Sequence, residues 1–155
     1  MRKKIFFDLD GTVADLYNKE GWLEDIQNEL PIFENLKPII DMQELEGFCM
    51  KLKARGYGIG IITWLPMHAS EQYESACALE KRKWVSKYMP YIDEFYALRY
   101  GTPKQNASFI RGTLNYLIDD NQEVGKMWEE RNNHLAVKVS EGNTLEEVTK
   151  HFSMI

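Results

Sequence analysis

Apolar, strand-like segments alternate with helix-like segments along almost the whole chain. The strand-like runs are apolar enough to be buried on both faces, and the segments between them carry apolar residues at helical spacing. This alternation predicts right-handed β–α–β units and a parallel sheet covered by helices on both faces. We therefore predict a single α/β domain over residues 1–155, with a three-layer, Rossmann-like parallel sheet.

The predicted elements follow from hydrophobic period and from local start and stop signals. Strands are predicted at residues 3–8, 57–63, 94–98, 114–119 and 135–139, and helices at residues 22–30, 41–55, 70–88, 105–112, 121–132 and 144–152. Asp41 and Glu44 resemble a capping box at the start of the second helix, and Gly56 is expected to end it. Residues 14–40 are irregular in composition, and we expect them to supply a small lid insertion.

Charge and hydropathy exclude several classes of partner. The formal net charge is −5, without a run of five or more like charges, which argues against binding to duplex nucleic acid. No stretch approaches transmembrane length or a signal-peptide core, so we expect no membrane partner and a cytoplasmic location. Cys49 and Cys77 stand alone in helix-like segments and are expected to be buried, reduced thiols. The oligomeric state is not predicted.

The first predicted strand ends in two carboxylates, Asp8 and Asp10, followed by Gly11-Thr12. Aspartate is depleted in strands, so this pair needs a chemical reason. Phosphoryl transfer supplies one, in which Asp8 attacks phosphorus, Asp10 moves protons, and the backbone N–H groups of Gly11-Thr12 bind phosphate oxygens. A calcium loop is disfavoured because the position of its closing Glu holds Lys19 and the preceding segment predicts a strand.

Polar residues end two further strands. Thr63 ends the second predicted strand, and Asp119 and Asp120 end the fourth. Ligands of parallel sheets bind beyond the carboxyl ends of the strands. The three polar strand ends therefore predict a single site at one edge of the sheet.

These motifs, in this order, resemble those of the haloacid dehalogenase superfamily of phosphatases and phosphotransferases. The resemblance covers residues 3–140 and comprises the Asp-x-Asp-Gly-Thr run at 8–12, the strand ending in Thr63, a lysine, and the strand ending in Asp119-Asp120. It implies a Mg²⁺-dependent phosphomonoesterase with an aspartyl-phosphate intermediate. In such an enzyme Asp8 is the nucleophile, and Asp10 protonates the leaving oxygen and then deprotonates the attacking water.

The resemblance also implies which residues hold the phosphate and the metal. The predicted phosphate ligands are Thr12, Thr63, Trp64 through its amide, and Lys104. The predicted Mg²⁺ ligands are Asp8, Asp10 through its carbonyl, Asp119 and Asp120, and such an all-oxygen set suits this ion. Lys87 and Lys126 are alternatives to Lys104, and Asp119 or Asp120 is also a candidate N-cap of the following helix.

The resemblance leaves the substrate open among small phosphorylated metabolites. Tyr17, Trp22, Phe33 and Trp64 offer aromatic faces on which a nucleobase can stack, and packing is the alternative role for each. Residues 80–85 resemble a helix of the 5'-nucleotidase and deoxyribonucleotidase branch, which favours a nucleoside monophosphate. The alternatives are a phosphatase of a larger substrate, such as a phosphoprotein or a nucleic-acid end, and a catalytically silent binding protein. Dehalogenation is disfavoured because it needs neither a second Asp nor Mg²⁺.

Overall fold

The computed structural model describes residues 2–107, 113–140 and 142–153 of the chain. Its sheet contains five parallel strands in the order β3-β2-β1-β4-β5. The strands are β1 (Lys3–Phe7), β2 (Tyr57–Trp64), β3 (Glu94–Leu98), β4 (Leu114–Asp119) and β5 (His134–Lys138). The predicted parallel α/β architecture is confirmed.

Helices connect the strands at the expected places. They are α1 (Trp22–Gln27), α2 (Met42–Ala54), α3 (Glu71–Tyr88), α4 (Gln122–Glu129) and α5 (Thr144–Ser153), with a short 3₁₀ helix at Lys104–Ala107. The Asp41 carboxylate accepts the N–H groups of Gln43 and Glu44, which starts α2 as predicted. Gly56 follows the end of α2 with a φ of 91°, the left-handed conformation that glycine adopts without strain.

Some helix boundaries differ from those predicted. Helix α1 ends at Gln27 rather than at residue 30, because Glu29 adopts a left-handed φ of 55° and turns the chain away. Helix α4 ends at Glu129, three residues earlier than expected. Of the helix predicted at 105–112, residues 105–107 belong to the 3₁₀ helix, and residues 108–112 lie outside the described part of the chain.

The two faces of the sheet carry separate hydrophobic cores, as the strand alternation requires. On one face, the side chains of Ile5, Ile59 and Ile61 pack with buried residues of α2, α3 and α5. On the other face, Phe6 packs with Trp128 of α4, with ring centroids 6.0 Å apart. The sheet is therefore buried on both sides, and its ligand site has to lie at a strand end.

The segment predicted as a lid is anchored in the core at both ends. The Asp15 N–H donates to the Lys37 carbonyl and the Ile39 N–H to the Val13 carbonyl, each at 2.8 Å. These two hydrogen bonds join the start and the end of the segment, so that residues 14–40 form a closed loop. The short helix α1 lies within this loop.

No helix within the described ranges is long and apolar enough to cross a membrane. Both cysteines are buried and free, as expected from their isolated positions in the sequence.

Candidate active site

The strand order places the predicted polar residues around one crevice. The chain runs from β1 to β2 and β3 on one side and then crosses to β4 and β5 on the other. The strand order therefore reverses between β1 and β4, and their carboxyl ends flank the switch point where such sheets bind ligands. A cleft of about 690 Å³ lies there, lined among others by Asp8, Asp10, Lys104, Asp119 and Asp120. Chain segments more than 100 residues apart in sequence therefore contribute carboxylates to a single cavity.

The Asp8 carboxylate is held from two sides. The buried Lys104 ammonium donates to Asp8 Oδ1 and to Asp119 Oδ2, both at 2.8 Å. The Thr12 hydroxyl donates to Asp8 Oδ2 at 3.0 Å. Burial lowers the pKa of Lys104, but the Asp8 and Asp119 carboxylates outweigh it and hold this pKa above its usual value. Lys104 is therefore a permanent cation within the acidic cluster.

Lys104 is the lysine among the three sequence candidates that lies at the carboxylates. Lys126 is exposed and pairs with Glu123 on the surface of α4. Lys87 is exposed near the end of α3, with its ammonium over the Tyr88 ring. Neither of these two lysines lines the cleft.

The turn after Asp10 differs from our expectation. The Gly11 N–H donates to the Ala14 carbonyl and the Thr12 N–H to the Leu9 carbonyl, so both groups are used inside the turn. Thr12 is fully buried and does not line the cleft. In this geometry Thr12 orients the Asp8 carboxylate, and its predicted contact with phosphate has no support from its position.

Gly11 brings this turn against the fourth-strand carboxylates. Its φ is 80°, and a Cβ at this position would lie 2.6 Å from Asp120 Oδ2 and 2.6 Å from a ring carbon of Tyr17. Any side chain at residue 11 would therefore collide with both neighbours. The close approach of the two aspartate-bearing segments depends on this glycine.

Asp8, Asp119 and Asp120 form a cluster suited to a cation. One carboxylate oxygen from each lies within 4.8 Å of the others. Burial and the neighbouring Asp8 charge raise the pKa of Asp119 to about 6 and that of Asp120 to about 8. These raised pKa values show that one ammonium does not balance three negative charges here, so a bound cation would favour the charged carboxylates, and hard oxygen ligands fit Mg²⁺. The Asp10 carboxylate does not belong to this cluster, and the ligand at the Asp10 carbonyl stays a prediction.

The helix after β4 is capped by Asn121, which corrects our expectation for Asp119 and Asp120. The Asn121 side-chain oxygen accepts the N–H groups of Glu123 and Val124, at 3.0 and 3.2 Å. Asp119 Oδ1 accepts the Asn121 N–H at 2.9 Å and thereby fixes the start of the turn. The Asp120 carboxylate is not used for capping and remains in the acidic cluster.

Lys81 of α3 is a site residue that sequence reasoning did not single out. Its ammonium donates to Asp10 Oδ2 at 2.7 Å, to Thr63 Oγ1 at 3.0 Å and to the Trp64 carbonyl at 2.7 Å. The nearby Arg82 and Lys83 are exposed. The available signal was helical spacing, because Lys81 lies four residues after the buried Cys77 and therefore on the same face of α3.

Asp10 forms an ion pair with this second lysine. Burial raises the pKa of the Asp10 carboxyl, and the Lys81 ammonium opposes that rise. Oδ1 of Asp10 is buried and has no hydrogen-bond partner within the described ranges. Each aspartate of the first motif thus has its own lysine, Lys104 for Asp8 and Lys81 for Asp10.

Aromatic side chains form one wall of the cleft. Trp22 and Tyr17 pack edge to face with centroids 5.0 Å apart. The Trp64 indole N–H donates to the Thr102 carbonyl at 2.7 Å, and its ring lies 4.9 Å from that of Tyr100. All four aromatic residues line the cleft, so each ring packs against a protein neighbour and is also available to a ligand.

In the comparison with known proteins, similarity is found to solved structures. No protein-family model matches the chain, and no curated protein matches it. Among solved structures, it is similar to D,D-heptose 1,7-bisphosphate phosphatase from Burkholderia thailandensis, with 10% sequence identity and a TM-score of 0.44, over 96% of this chain and 99% of that chain. A similarity of this extent says nothing about the activity of this chain, which has to be inferred from the residues of the cleft.

Proposed function

We propose that this protein is a Mg²⁺-dependent phosphomonoesterase that acts through an aspartyl-phosphate on Asp8. The observation that carries this proposal is the environment of Asp8. Its carboxylate is held by Lys104 and Thr12 at the switch point of the sheet, beside the Asp119 and Asp120 carboxylates. A fixed carboxylate next to a cation site and a buried ammonium is suited to attack on a bound phosphoryl group.

The chain's own residues divide the reaction between them. Asp8 attacks phosphorus and forms an acyl phosphate while the bond from phosphorus to the leaving oxygen breaks. Asp10 protonates that departing oxygen and then takes a proton from the water that hydrolyses the acyl phosphate. Two of the three Lys104 donors are used by carboxylates, which leaves one for a phosphate oxygen. The Trp64 amide is another proposed phosphate ligand, and Trp64 lines the cleft. Thr63 is 1% exposed and does not line the cleft, so its predicted contact with phosphate, like that of Thr12, has no support from its position. Mg²⁺ bound by Asp8, the Asp10 carbonyl, Asp119 and Asp120 would neutralise charge on the phosphoryl oxygens.

The composition of the cleft supports a small substrate that carries an aromatic ring apart from its phosphate. Its volume of about 690 Å³ is typical of small-molecule sites. Both lysines in the described lining, Lys81 and Lys104, are engaged at the carboxylates, and the other side is lined by Trp22, Leu23 and Ile26 of α1. This distribution suits one phosphate and an uncharged ring, so we propose a nucleoside monophosphate as the substrate class.

The test is phosphate release from a panel of nucleoside monophosphates, sugar phosphates and an aryl phosphate, with Mg²⁺ present. We expect release from nucleoside monophosphates to exceed that from sugar phosphates, and Asp8→Asn to abolish turnover in a protein that still folds. Acid-quenched wild-type enzyme should carry one phosphoryl group on the peptide that contains Asp8. If no small ester releases phosphate, the proposal of a phosphatase for small substrates is wrong. The two alternatives are then a phosphatase of larger substrates and a binding protein of this fold.

The two free cysteines support a reducing compartment, and we propose a cytoplasmic location on that basis. Recovery of the protein in a membrane or secreted fraction of its native cells would contradict this assignment.

A further inference from the structure

Lys81 is a buried ammonium whose position no predicted motif explains. Its side chain is 1% exposed, and it lies in the middle of α3 against the floor of the cleft. Burying an ammonium costs several kcal/mol unless its donors are satisfied. Here all three donors meet acceptors, on Asp10, Thr63 and Trp64. A residue needed only to fill this buried space would be apolar. The positive charge of Lys81 therefore indicates a role beyond packing.

We propose that Lys81 is a positioning residue that holds the Asp10 carboxylate in the orientation in which it exchanges the proton with the leaving group. This inference rests on the proposed phosphatase function. Oδ2 of Asp10 lies 2.7 Å from the Lys81 ammonium, whereas Oδ1 is buried and has no hydrogen-bond partner within the described part of the chain. The contact with Lys81 is therefore what fixes this carboxylate, and proton transfer requires a fixed orientation.

The same ammonium also contacts Thr63, the residue of the second motif. The Thr63 oxygen accepts from Lys81 at 3.0 Å, and the Thr63 hydroxyl lies 3.5 Å from the Trp64 carbonyl, too long for a strong O–H···O bond. Thr63 is 1% exposed and does not line the cleft. In this geometry Thr63 helps to hold the Lys81 ammonium beside Asp10.

The surroundings of Lys81 keep the ammonium in place. The Phe33 ring lies 4.5 Å from Nζ, and the Phe33 N–H donates to the carboxylate of the adjacent Glu80 at 3.1 Å. The Glu34 N–H donates to the same Glu80 oxygen at 3.3 Å. Glu80 thus holds Phe33, whose ring covers the Lys81 ammonium, and the next residue, Lys81, holds the Asp10 carboxylate.

The test compares an alkyl phosphate with an aryl phosphate in single-turnover measurements of the first step. An aryl leaving group needs little protonation, whereas an alkyl leaving group depends on a correctly placed acid. General acid catalysis contributes about 10²–10⁴-fold, so Lys81→Met should lower the alkyl rate by about 10–10²-fold and the aryl rate several-fold less. Lys83→Met, an exposed lysine on the same helix, should leave both rates unchanged.

A second comparison separates a role through Asp10 from a general loss of packing, and circular dichroism of each variant shows that it is folded. In an Asp10→Asn background, Lys81→Met should leave the ratio of alkyl to aryl rates unchanged, because the acid through which Lys81 acts is already gone. A further fall in that ratio would overturn the proposal. So would equal losses for both substrates in the single variant, accompanied by a lower melting temperature, since a packing role predicts that result.

The outcomes separate this inference from the proposed function. Phosphate release by the wild-type protein, with an unchanged ratio in folded Lys81→Met, would overturn the positioning role alone. If the wild-type protein releases no phosphate from either ester, the proposed function fails, and the role of Lys81 fails with it.

Discussion

The Nζ atom of Lys104 lies 2.8 Å from Oδ1 of Asp8, in a place where both side chains are buried. The same ammonium contacts Asp119, so it is the internal counter-charge of the acidic cluster in the described structure. Removing one partner of a buried ion pair leaves the other uncompensated and destabilises by about 3–5 kcal/mol. The stability of the protein and its response to cations should therefore both depend on Lys104.

We predict that Lys104→Met loses most of its phosphatase activity and unfolds at a lower temperature in the absence of divalent ions. Added Mg²⁺ should restore part of the stability, because a cation replaces the missing positive charge and binds only the folded state. The measurement is the change in melting temperature with Mg²⁺, which should be larger for Lys104→Met than for the wild type. Lys126→Met, at an exposed surface pair, is the control and should behave as the wild type. A Mg²⁺ response that is the same in all three proteins would contradict the assigned site.

The metal assignment makes a separate prediction for Asp119. Asp119→Asn keeps the shape of the side chain but removes a charged oxygen ligand, so the apparent Mg²⁺ affinity should fall about tenfold or more. Mg²⁺ titrations of activity and of melting temperature should agree on the shift, and excess EDTA should abolish wild-type turnover. Glu123→Gln removes an exposed carboxylate from the first turn of α4. This control should change neither the Mg²⁺ titration of activity nor that of melting temperature. Full turnover in EDTA would exclude a metal-dependent reaction.

Sequence reasoning located the parts of the site that depend on local pattern. Asp8, Thr63 and Asp119 could be placed because each ends an apolar strand, and parallel strands end at the same edge. The roles of Lys81 and Asn121 were not predicted. The contact of Lys81 with Asp10 joins residues 71 positions apart, and it depends on how α3 packs against the sheet. Periodicity shows which helix face is buried but not which strand end it meets.

The capping of α4 shows a second limit of local pattern. Asp119, Asp120 and Asn121 are consecutive and all three favour the N-cap position. The choice among them depends on where β4 stops, and boundaries are the least certain part of a sequence-based assignment. Because β4 runs through Asp119, the cap falls on Asn121 and both aspartates stay in the cleft.

Gly11 allows a prediction in which backbone strain and steric collision can be separated. Gly11→Ala combines a left-handed φ of 80° with a Cβ 2.6 Å from Asp120 Oδ2, so we expect reduced stability, by about 1–3 kcal/mol, and loss of activity. Gly56→Ala is the matched control, because its φ is 91° but its Cβ would meet nothing within 4 Å. Thermal melts and phosphate release should show destabilisation in both variants and loss of activity in Gly11→Ala alone. Equal activity in the two variants would show that the approach to Asp120 is not needed.

The last prediction concerns substrate preference and the role of Trp22. Its ring lines the cleft and packs edge to face against Tyr17, so Trp22→Ala removes a surface on which a base can stack. Stacking contributes about 1–3 kcal/mol per base, so kcat/KM for a nucleoside monophosphate should fall roughly five- to a hundred-fold relative to an alkyl phosphate, which has no ring to stack. Trp64→Ala is less informative, because its indole also bonds the Thr102 carbonyl and its loss disturbs the loop that carries Lys104.

The control for Trp22 is a tryptophan buried on the opposite face of the sheet. Trp128 is fully buried against Phe6, so Trp128→Phe should lower the melting temperature while leaving the ratio of kcat/KM values for the two substrates unchanged. If Trp22→Ala behaves in the same way, with equal losses for both substrates and a lower melting temperature, Trp22 is a packing residue. The preference for nucleotides would then lose its main physical support, because the remaining aromatic rings of the wall are tied to protein partners.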